Sequence, residues 1–392
     1  MSLQTCIVPY TLKAGGRTVE PSILSEISFP DFLDQVQDGL FLVDSRGTIL
    51  FWNRAAEELT GFPASAAVGR SCLDRDLLDH RTVHGESLCT AESSPLVRCM
   101  QSGVGGSVPQ IIVAASASGK PLPISLSVSP LQTRDGKITG AIALFHGMRE
   151  EYQQRKLAIE IQKRTITSRG FVRNGVRVET LFSPVDEIGG DFLEAFFLDD
   201  HTLIATLADA TGHGISASLF TMVYKTLLHA SFAQARTPAG VLKRVNTGFL
   251  ESAGIDGYYI GACLASYDAA AHRGLFAAAG HPHGLVFRRD AAGYRLREQL
   301  EVHSPMLGMQ EEARFAQVEF QLPPGDLLLL ATDGIIESPC SDGTQFGMDG
   351  IAAFLSRYGG SSPLTDLLAE VRRRSAGAPA TDDISALLVG PA

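Results

Sequence analysis

Four aspartates in the C-terminal half stand where apolar, strand-like runs begin or end. The run LIATLA (203–208) ends on Asp209, and Ala210-Thr211-Gly212-His213-Gly214 then turns into a helix pattern. DLLLLAT (326–332) ends on Asp333, followed by Gly334. ISALLV (384–389) starts directly after Asp382-Asp383, and Asp191 opens a fourth element inside GGDF. Strand ends in one layer of a sheet can converge although their residues are far apart in sequence. Carboxylates gathered there repel one another unless hard divalent cations neutralise them, and an oxygen-only donor set favours magnesium or manganese over zinc or copper. A single Asp beside Gly is ordinarily a turn or cap. For four such sites in one half-chain, a metal cluster is the economical explanation.

Other side chains could also do chemistry. His213, in the GHG turn, is placed to protonate a leaving oxygen or to shape the start of the helix, and His281 and His283 sit in a Gly-Pro turn that suits a structural role. In the N-terminal half His80, His84, Cys89 and Cys99 have loose metal-type spacing that haem iron or zinc could use, against surface histidines and small buried thiols as the competing reading.

The elements that must carry these residues are legible as patterns. Order begins near Phe29. GLFLVD, a turn at Ser45-Arg46-Gly47 and TILFWN read as a hairpin leading into a helix over AAEEL, which Asn53 is placed to cap. Gln110 to Ala114, Ile124 to Val128 and ITGAIALFHG read as further strands of a small antiparallel sheet. REEYQQRKLAIEIQKRTI (149–166) is free of Gly and Pro and rich in helix formers. Tyr152, Ile159 and Ile166 fall seven apart on it, with Leu157 and Ile161 nearby, which suits either pairing across a dimer or an exposed connector. From Gly257 to Arg297 strand-like runs alternate with turns at 268–274 and 290–293, the pattern of a two-sheet sandwich.

The 392 residues carry 33 Lys+Arg against 43 Asp+Glu, a formal charge of −10, with 45% apolar residues. That balance supports packed cores and gives no attraction to phosphate backbones or anionic lipid, so neither nucleic acid nor membrane is an expected partner. The start, MSLQTCIVPYTLK, lacks a secretory pattern, no apolar run approaches membrane-spanning length, and six scattered cysteines without a CxxC pair read as reduced thiols. These features predict a cytoplasmic protein.

The N-terminal order, DGLFLVDSRGTILFWNRAAEELTGF with a closing GAIALFHGMRE, resembles the PAS sensor domain over about 27 to 147. PAS domains hold haem, flavin or a metabolite, or nothing, so the ligand stays unknown. Cys72 in GRSC falls at the photoreactive cysteine of the flavin-binding subgroup, but Leu73-Asp74-Arg75 departs from that pattern.

The segments LIATLADATGHGISASLF, LLLLATDGIIES and ATDDISALLV, with AAGHPHGLVFR and GTQFGMDGI between them, resemble the metal-dependent type 2C (PPM) phosphatases. The likeness is to the bacterial branch of the sporulation stage II (SpoIIE) phosphatase and of the phosphatases that control alternative sigma factors. The resemblance implies two divalent cations, Mn2+ or Mg2+, held by Asp191, Asp209, Asp333 and Asp382, with the main-chain carbonyl of Ala210 as a further ligand and Asp383 beside it. A water whose pKa those cations lower would then hydrolyse a phosphate ester, with no protein nucleophile. The implied activity is that of a phosphoserine/phosphothreonine protein phosphatase acting on a phosphorylated, STAS-type anti-sigma-factor antagonist. Leu193-Glu194 stands where the family has an aromatic residue and Asp, and Ala210-Thr211 where it has Val-Ser, and the usual eukaryotic phosphate-gripping Arg is not evident, Arg177 being a distant candidate. Two alternatives are weighed: a cyclic-dinucleotide synthase, suggested by GGDF alone although Phe192-Leu193 follow Asp191, and a non-enzymatic partner-switch scaffold.

The expected fold is α+β. An N-terminal arm (1–26) leads to the PAS domain (27–147), an antiparallel sheet with helices. A helical linker (148–167), through which a homodimer forms together with the PAS domain, leads to a phosphatase domain (168–392) built as a PPM-type αββα sandwich.

Overall fold

In the computed structural model, which describes residues 13–14, 17–18, 28–108, 110–165, 170–212, 214–281, 284–376, 378 and 380–392, the chain divides into two compact units, 1–154 and 155–392. In the N-terminal arm β1 (Lys13–Ala14) pairs antiparallel with β2 (Arg17–Thr18). The rest of the arm, with Cys6, lies outside the described residues, as do Ile166, His213 and His283.

The first unit then runs α1 (Phe29–Asp34), β3 (Gly39–Asp44), β4 (Ile49–Trp52), α2 (Arg54–Thr60), α3 (Ala64–Ala67), β5 (Arg81–Thr82), α4 (Pro95–Ser102), β6 (Gly106–Ser107), β7 (Ile112–Ala115), β8 (Pro121–Gln132) and β9 (Ile138–Gly147). Its sheet has the order β4-β3-β9-β8-β7-β5, with β6 paired to β8. Gly47 adopts φ 81°, the left-handed backbone that makes the expected β3–β4 turn tight. Asn53 caps α2 as expected, accepting from the Ala56 amide at 2.9 Å, and the same oxygen accepts from Leu40 at 2.8 Å. Its amide nitrogen donates to the carbonyls of Leu33, Val36 and Asp38. One buried side chain thus ties α1, β3 and α2 together, with every polar group satisfied. Phe41, Trp52 and Phe145 fill the centre of this core with ring centroids 5.4 to 6.2 Å apart.

Helix α5 (Arg149–Thr165) crosses from the first unit into the second. The second unit continues through β10 (Phe171–Arg173), β11 (Val176–Ser183), β12 (Asp191–Phe197), β13 (Thr202–Ala210), α6 (Gly214–Ser231), α7 (Pro238–Ala253), β14 (Ile260–Asp268), β15 (Arg273–Ala279), β16 (Gly284–Arg289), β17 (Tyr294–Leu300), β18 (Gln317–Gln321), β19 (Leu327–Ala331), α8 (Asp333–Ile336), α9 (Gly347–Leu355), α10 (Pro363–Arg374) and β20 (Ile384–Pro391). Two antiparallel sheets form, of order β10-β11-β20-β19-β16-β17 and β12-β13-β14-β15-β18.

Period-2 alternation assigns each strand face to a layer. Leu203, Ala205 and Leu207 meet Leu328, Leu330, Leu387 and Val389 between the sheets. Ile204 and Ala208 turn outward onto Tyr224 and Leu228 of α6 and Val245 and Phe249 of α7. Leu329, Ala386 and Leu388 turn outward on the other sheet, onto Ile351 of α9 and Leu367 and Val371 of α10. The four layers are the expected αββα sandwich. Among the described residues no helix is long and apolar enough to cross a membrane.

Candidate metal centre

The alternation that builds the core also aims the acidic residues. Asp191 shares its strand face with Leu193 and Ala195, and Asp209 shares its face with Leu203, Ala205 and Leu207, so both carboxylates point into the space between the sheets. They are direct cross-strand partners in the β12–β13 register. Facing like charges are unfavourable in a sheet. From the opposite sheet Thr332 follows Leu328 and Leu330 on the inner face, and Asp383 and Ser385 precede Leu387 and Val389 on it. Asp333 begins α8 directly beyond Thr332.

Three glycines are there because other groups come close. A Cβ on Gly334 would collide with the Asp383 carbonyl, so the TDG turn presses Asp333 onto the Asp382-Asp383 segment. A Cβ on Gly189 would meet the Asp383 carboxylate, and one on Gly190 would crowd Ala217 and the carbonyls of Ala210 and Gly212. GGD in this chain is therefore a loop squeezed between β20 and the β13–α6 turn. The Asp383 carboxylate fastens that loop, accepting from Val185 at 2.8 Å through one oxygen and from Gly190 at 2.6 Å and Asp191 at 3.4 Å through the other.

Electrostatics records the crowding. Burial holds the Asp191 carboxyl well above the usual carboxylate range, with Asp209 and Asp383 adding to the effect and hydroxyls of Ser385 and Thr332 opposing it. Asp209 is pushed up to about 7, first by burial and then by Asp333, Asp382 and Asp383. Asp383 is raised by burial, against the amides it accepts from. The structure therefore brings Asp191, Asp209, Asp333, Asp382 and Asp383 within electrostatic reach of one another, with the Ala210 carbonyl beside Gly190. Among the described residues no group of three or more His, Cys, Asp or Glu side chains stands in an arrangement that could hold a metal ion without adjustment. Amides and hydroxyls occupy part of the carboxylate oxygens, and the mutual repulsion of the carboxylates is what a bound cation would relieve. An all-oxygen donor set under that repulsion fits hard divalent cations.

Residues outside the sequence-read set complete the site. Gln162, buried on α5, donates to the Gly189 carbonyl at 2.6 Å and accepts from the Gly189 amide at 3.3 Å. Arg155 of the same helix pairs with Asp186 at 2.7 Å and Glu187 at 3.2 Å. Gln162 lies one turn beyond Ile159, but Arg155, Lys156 and Lys163 are as polar along that side of the helix, so the sequence carries no signal that singles it out. Glu194, in place of the family's Asp, is taken up by Lys225 at 3.1 Å and His229 at 2.7 Å, while Leu193 joins the inter-sheet core.

Arg177 does not reach the carboxylates. It pairs with Glu179 and the Ser361 carbonyl, six residues along β11 from Ser183, or about 20 Å. His281 is buried and lines a cleft with Gly280, Val302, His303, Ser304, Pro305 and Gln310, none of them an acidic residue. In the first unit burial pushes the Cys72 thiol up to about 11 and the His80 imidazole down to about 4, and the Cys89 sulfur accepts from the His80 amide at 3.1 Å. A thiol so raised is a poor nucleophile.

Comparisons with known proteins agree with this architecture. Residues 199–391 match the family described as Stage II sporulation protein E (SpoIIE), and residues 29–148 match the PAS fold. The sporulation match begins beyond Asp191 and includes Asp209, Asp333 and Asp382. Phosphoserine phosphatase RsbP of Bacillus subtilis is 28% identical over 189 residues, 47% of this chain and 46% of that protein. Phosphoserine phosphatase RsbU of the same organism is 24% identical over 199 residues, 50% of this chain and 58% of that protein. The chain thus spans about half the length of these relatives. The SiaA PP2C domain of Pseudomonas aeruginosa superposes with a TM-score of 0.52 at 20% identity, covering 62% of this chain and 97% of that one, which establishes the PP2C fold.

Proposed function

We propose that this chain, which joins a PAS domain to a SpoIIE-type PP2C domain, is a sensor-regulated, metal-dependent phosphoserine/phosphothreonine protein phosphatase. The observation that carries the reading is the convergence of carboxylates from both sheets on one end of the inter-sheet space. In this reading Asp191, Asp209, Asp333 and Asp382, with the Ala210 carbonyl, hold two divalent cations, Mn2+ or Mg2+. Such cations supply positive charge to a phosphate ester and lower the pKa of a water beside it. The chain's part is positioning. Asp383, committed to three amides, fixes the 184–190 loop and with it the start of β12, and Gln162 grips the same loop from α5.

The substrate in this reading is a phosphorylated, STAS-type anti-sigma-factor antagonist in the cytoplasm, supported by the likeness to two proteins named phosphoserine phosphatases. We take 27–147 as the sensor, 148–167 as the linker and 168–392 as the catalytic domain. A homodimer through the PAS domain and linker fits α5, where Leu157 and Ile161, one turn apart, are 62% and 45% exposed. Ile159 turns the other way and is buried, so it is not part of that free stripe.

Release of phosphate from an aryl phosphate by the full chain tests the activity. Release in manganese that stops with chelator supports it, and no release from either an aryl phosphate or a phosphoserine protein would favour the scaffold.

A further inference from the structure

The hydroxyl of Thr332 is in the wrong place for its position in the fold. Thr332 is the N-cap residue of α8, where a Thr side chain ordinarily accepts from an amide of the first turn, and here it makes no such bond. The side chain turns into the inter-sheet space instead, fully buried, where its oxygen accepts from the Ser385 amide at 3.1 Å. That amide would meet the Thr332 carbonyl if β19 continued, but the ladder goes only as far as the bond from the Thr332 amide to the Ser385 carbonyl, so the hydroxyl stands in.

The hydroxyl has one proton to donate, and three oxygens lie in reach: Asp191 Oδ2 at 3.2 Å and the carbonyls of Asp383 and Ser385, each at 3.3 Å. The Ser385 carbonyl already accepts from the Thr332 amide at 3.0 Å. Of the three acceptors Asp191 is the carboxyl group, ionised whenever it serves as a cation ligand, and a charge-assisted bond then outranks a neutral one. Asp191 belongs to one sheet and Thr332 and Ser385 to the other, so this bond crosses the sandwich at its acidic end.

We propose that Thr332 is a positioning residue for the metal centre: clamped by the Ser385 amide, its hydroxyl holds Oδ2 of Asp191 and so fixes the orientation of that carboxylate across the two sheets. This rests on the phosphatase reading and adds a residue that the carboxylate motif does not contain. A hydroxyl that merely filled space would leave metal affinity untouched, whereas removing the partner that orients a ligand typically weakens binding about 10–100-fold.

Manganese affinity of the full-length chain, by calorimetric titration and by electron paramagnetic resonance of free Mn2+, decides the matter, alongside melting in chelator. Thr332→Val keeps the shape and removes the hydroxyl, and we expect its affinity to fall about 10–100-fold. Thr332→Ser keeps the hydroxyl and should retain the unmodified affinity. Thr332→Cys, with a weak donor in the same place, should fall between them. A folded Thr332→Val that melts lower in chelator yet binds manganese as tightly as the unmodified chain would overturn the proposal. If Thr332→Val does not fold, an unchanged affinity in Thr332→Cys overturns it equally. Should the unmodified chain itself fail to bind manganese, the metal-dependent reading fails instead.

Discussion

Gln162 offers a quantitative handle on the coupling between α5 and the acidic site. Replacing it by Leu preserves helix propensity and most of the volume but removes both hydrogen bonds to the Gly189 peptide. The bond to the Gly189 carbonyl, at 2.6 Å, is the stronger. The second, at 3.3 Å, adds little. Leaving one buried peptide carbonyl without a partner costs about 1–3 kcal/mol, so we take about 2 kcal/mol as the destabilisation of the 184–191 loop. If the loop opens locally, that energy corresponds to about 30-fold faster amide exchange there. Hydrogen exchange read by mass spectrometry on the full chain is the assay, with the centre of β20 as internal control. We expect the peptide containing Gly189, Gly190 and Asp191 to exchange about 30-fold faster in Gln162→Leu, with the β20 peptide unchanged, and manganese-dependent hydrolysis to fall in parallel. Exchange within about twofold of the unmodified chain, with the protein folded, would refute the claim that Gln162 holds this loop.

Two further outcomes follow from the same geometry. Asp191 and Asp209 have raised carboxyl pKa values in the folded chain, so the folded state binds more protons than the unfolded one. In chelator, stability should therefore be greatest below about pH 4 as far as these groups are concerned, and should decline as pH rises towards about 7 on account of Asp209, with Asp191 acting in the same direction. For Asp209 alone the shift from 3.8 to about 7 amounts to at most about 4 kcal/mol. Melting curves in chelator that rise steadily from pH 5 to pH 8 would count against the repulsion described here. On α5, changing Leu157 and Ile161 to Asp should convert a dimer to a monomer in light scattering without loss of the catalytic fold. A dimer that survives both changes would move the interface elsewhere.

Much of this architecture is written plainly in the sequence, for physical reasons. Apolar runs that end on Asp209 and Asp333 fixed the polarity of β13 and β19, and the turn chemistry of Gly47 and the cap at Asn53 were local signals with local causes. What was not legible depends on contacts between distant segments. The fastening of the GGD loop by Asp383 joins Gly190 and Asp383, 193 positions apart in sequence, and so depends on the tertiary fold. The seven-residue spacing of Tyr152 and Ile159 suggested a dimer seam, yet Ile159 is buried and Leu157 and Ile161 are the exposed residues, because packing decides which side of a helix is covered. Thr332 appears in the sequence only as the last residue of the DLLLLAT run. Its diversion to Asp191 becomes visible only once the two sheets face each other.

The central claim is that a carboxylate cluster divided between two sheets holds the cations for phosphoester hydrolysis, and Asp209, opposite Asp191 in the ladder, is its most direct probe. The measurement is phosphate release from a phosphoserine protein by the full chain in manganese, comparing the unmodified protein with Asp209→Asn. The account predicts manganese-dependent release that chelator abolishes, and a loss of about a hundredfold or more in Asp209→Asn with the fold retained. Release insensitive to chelator, or a folded Asp209→Asn that keeps more than about a tenth of the rate, would contradict it.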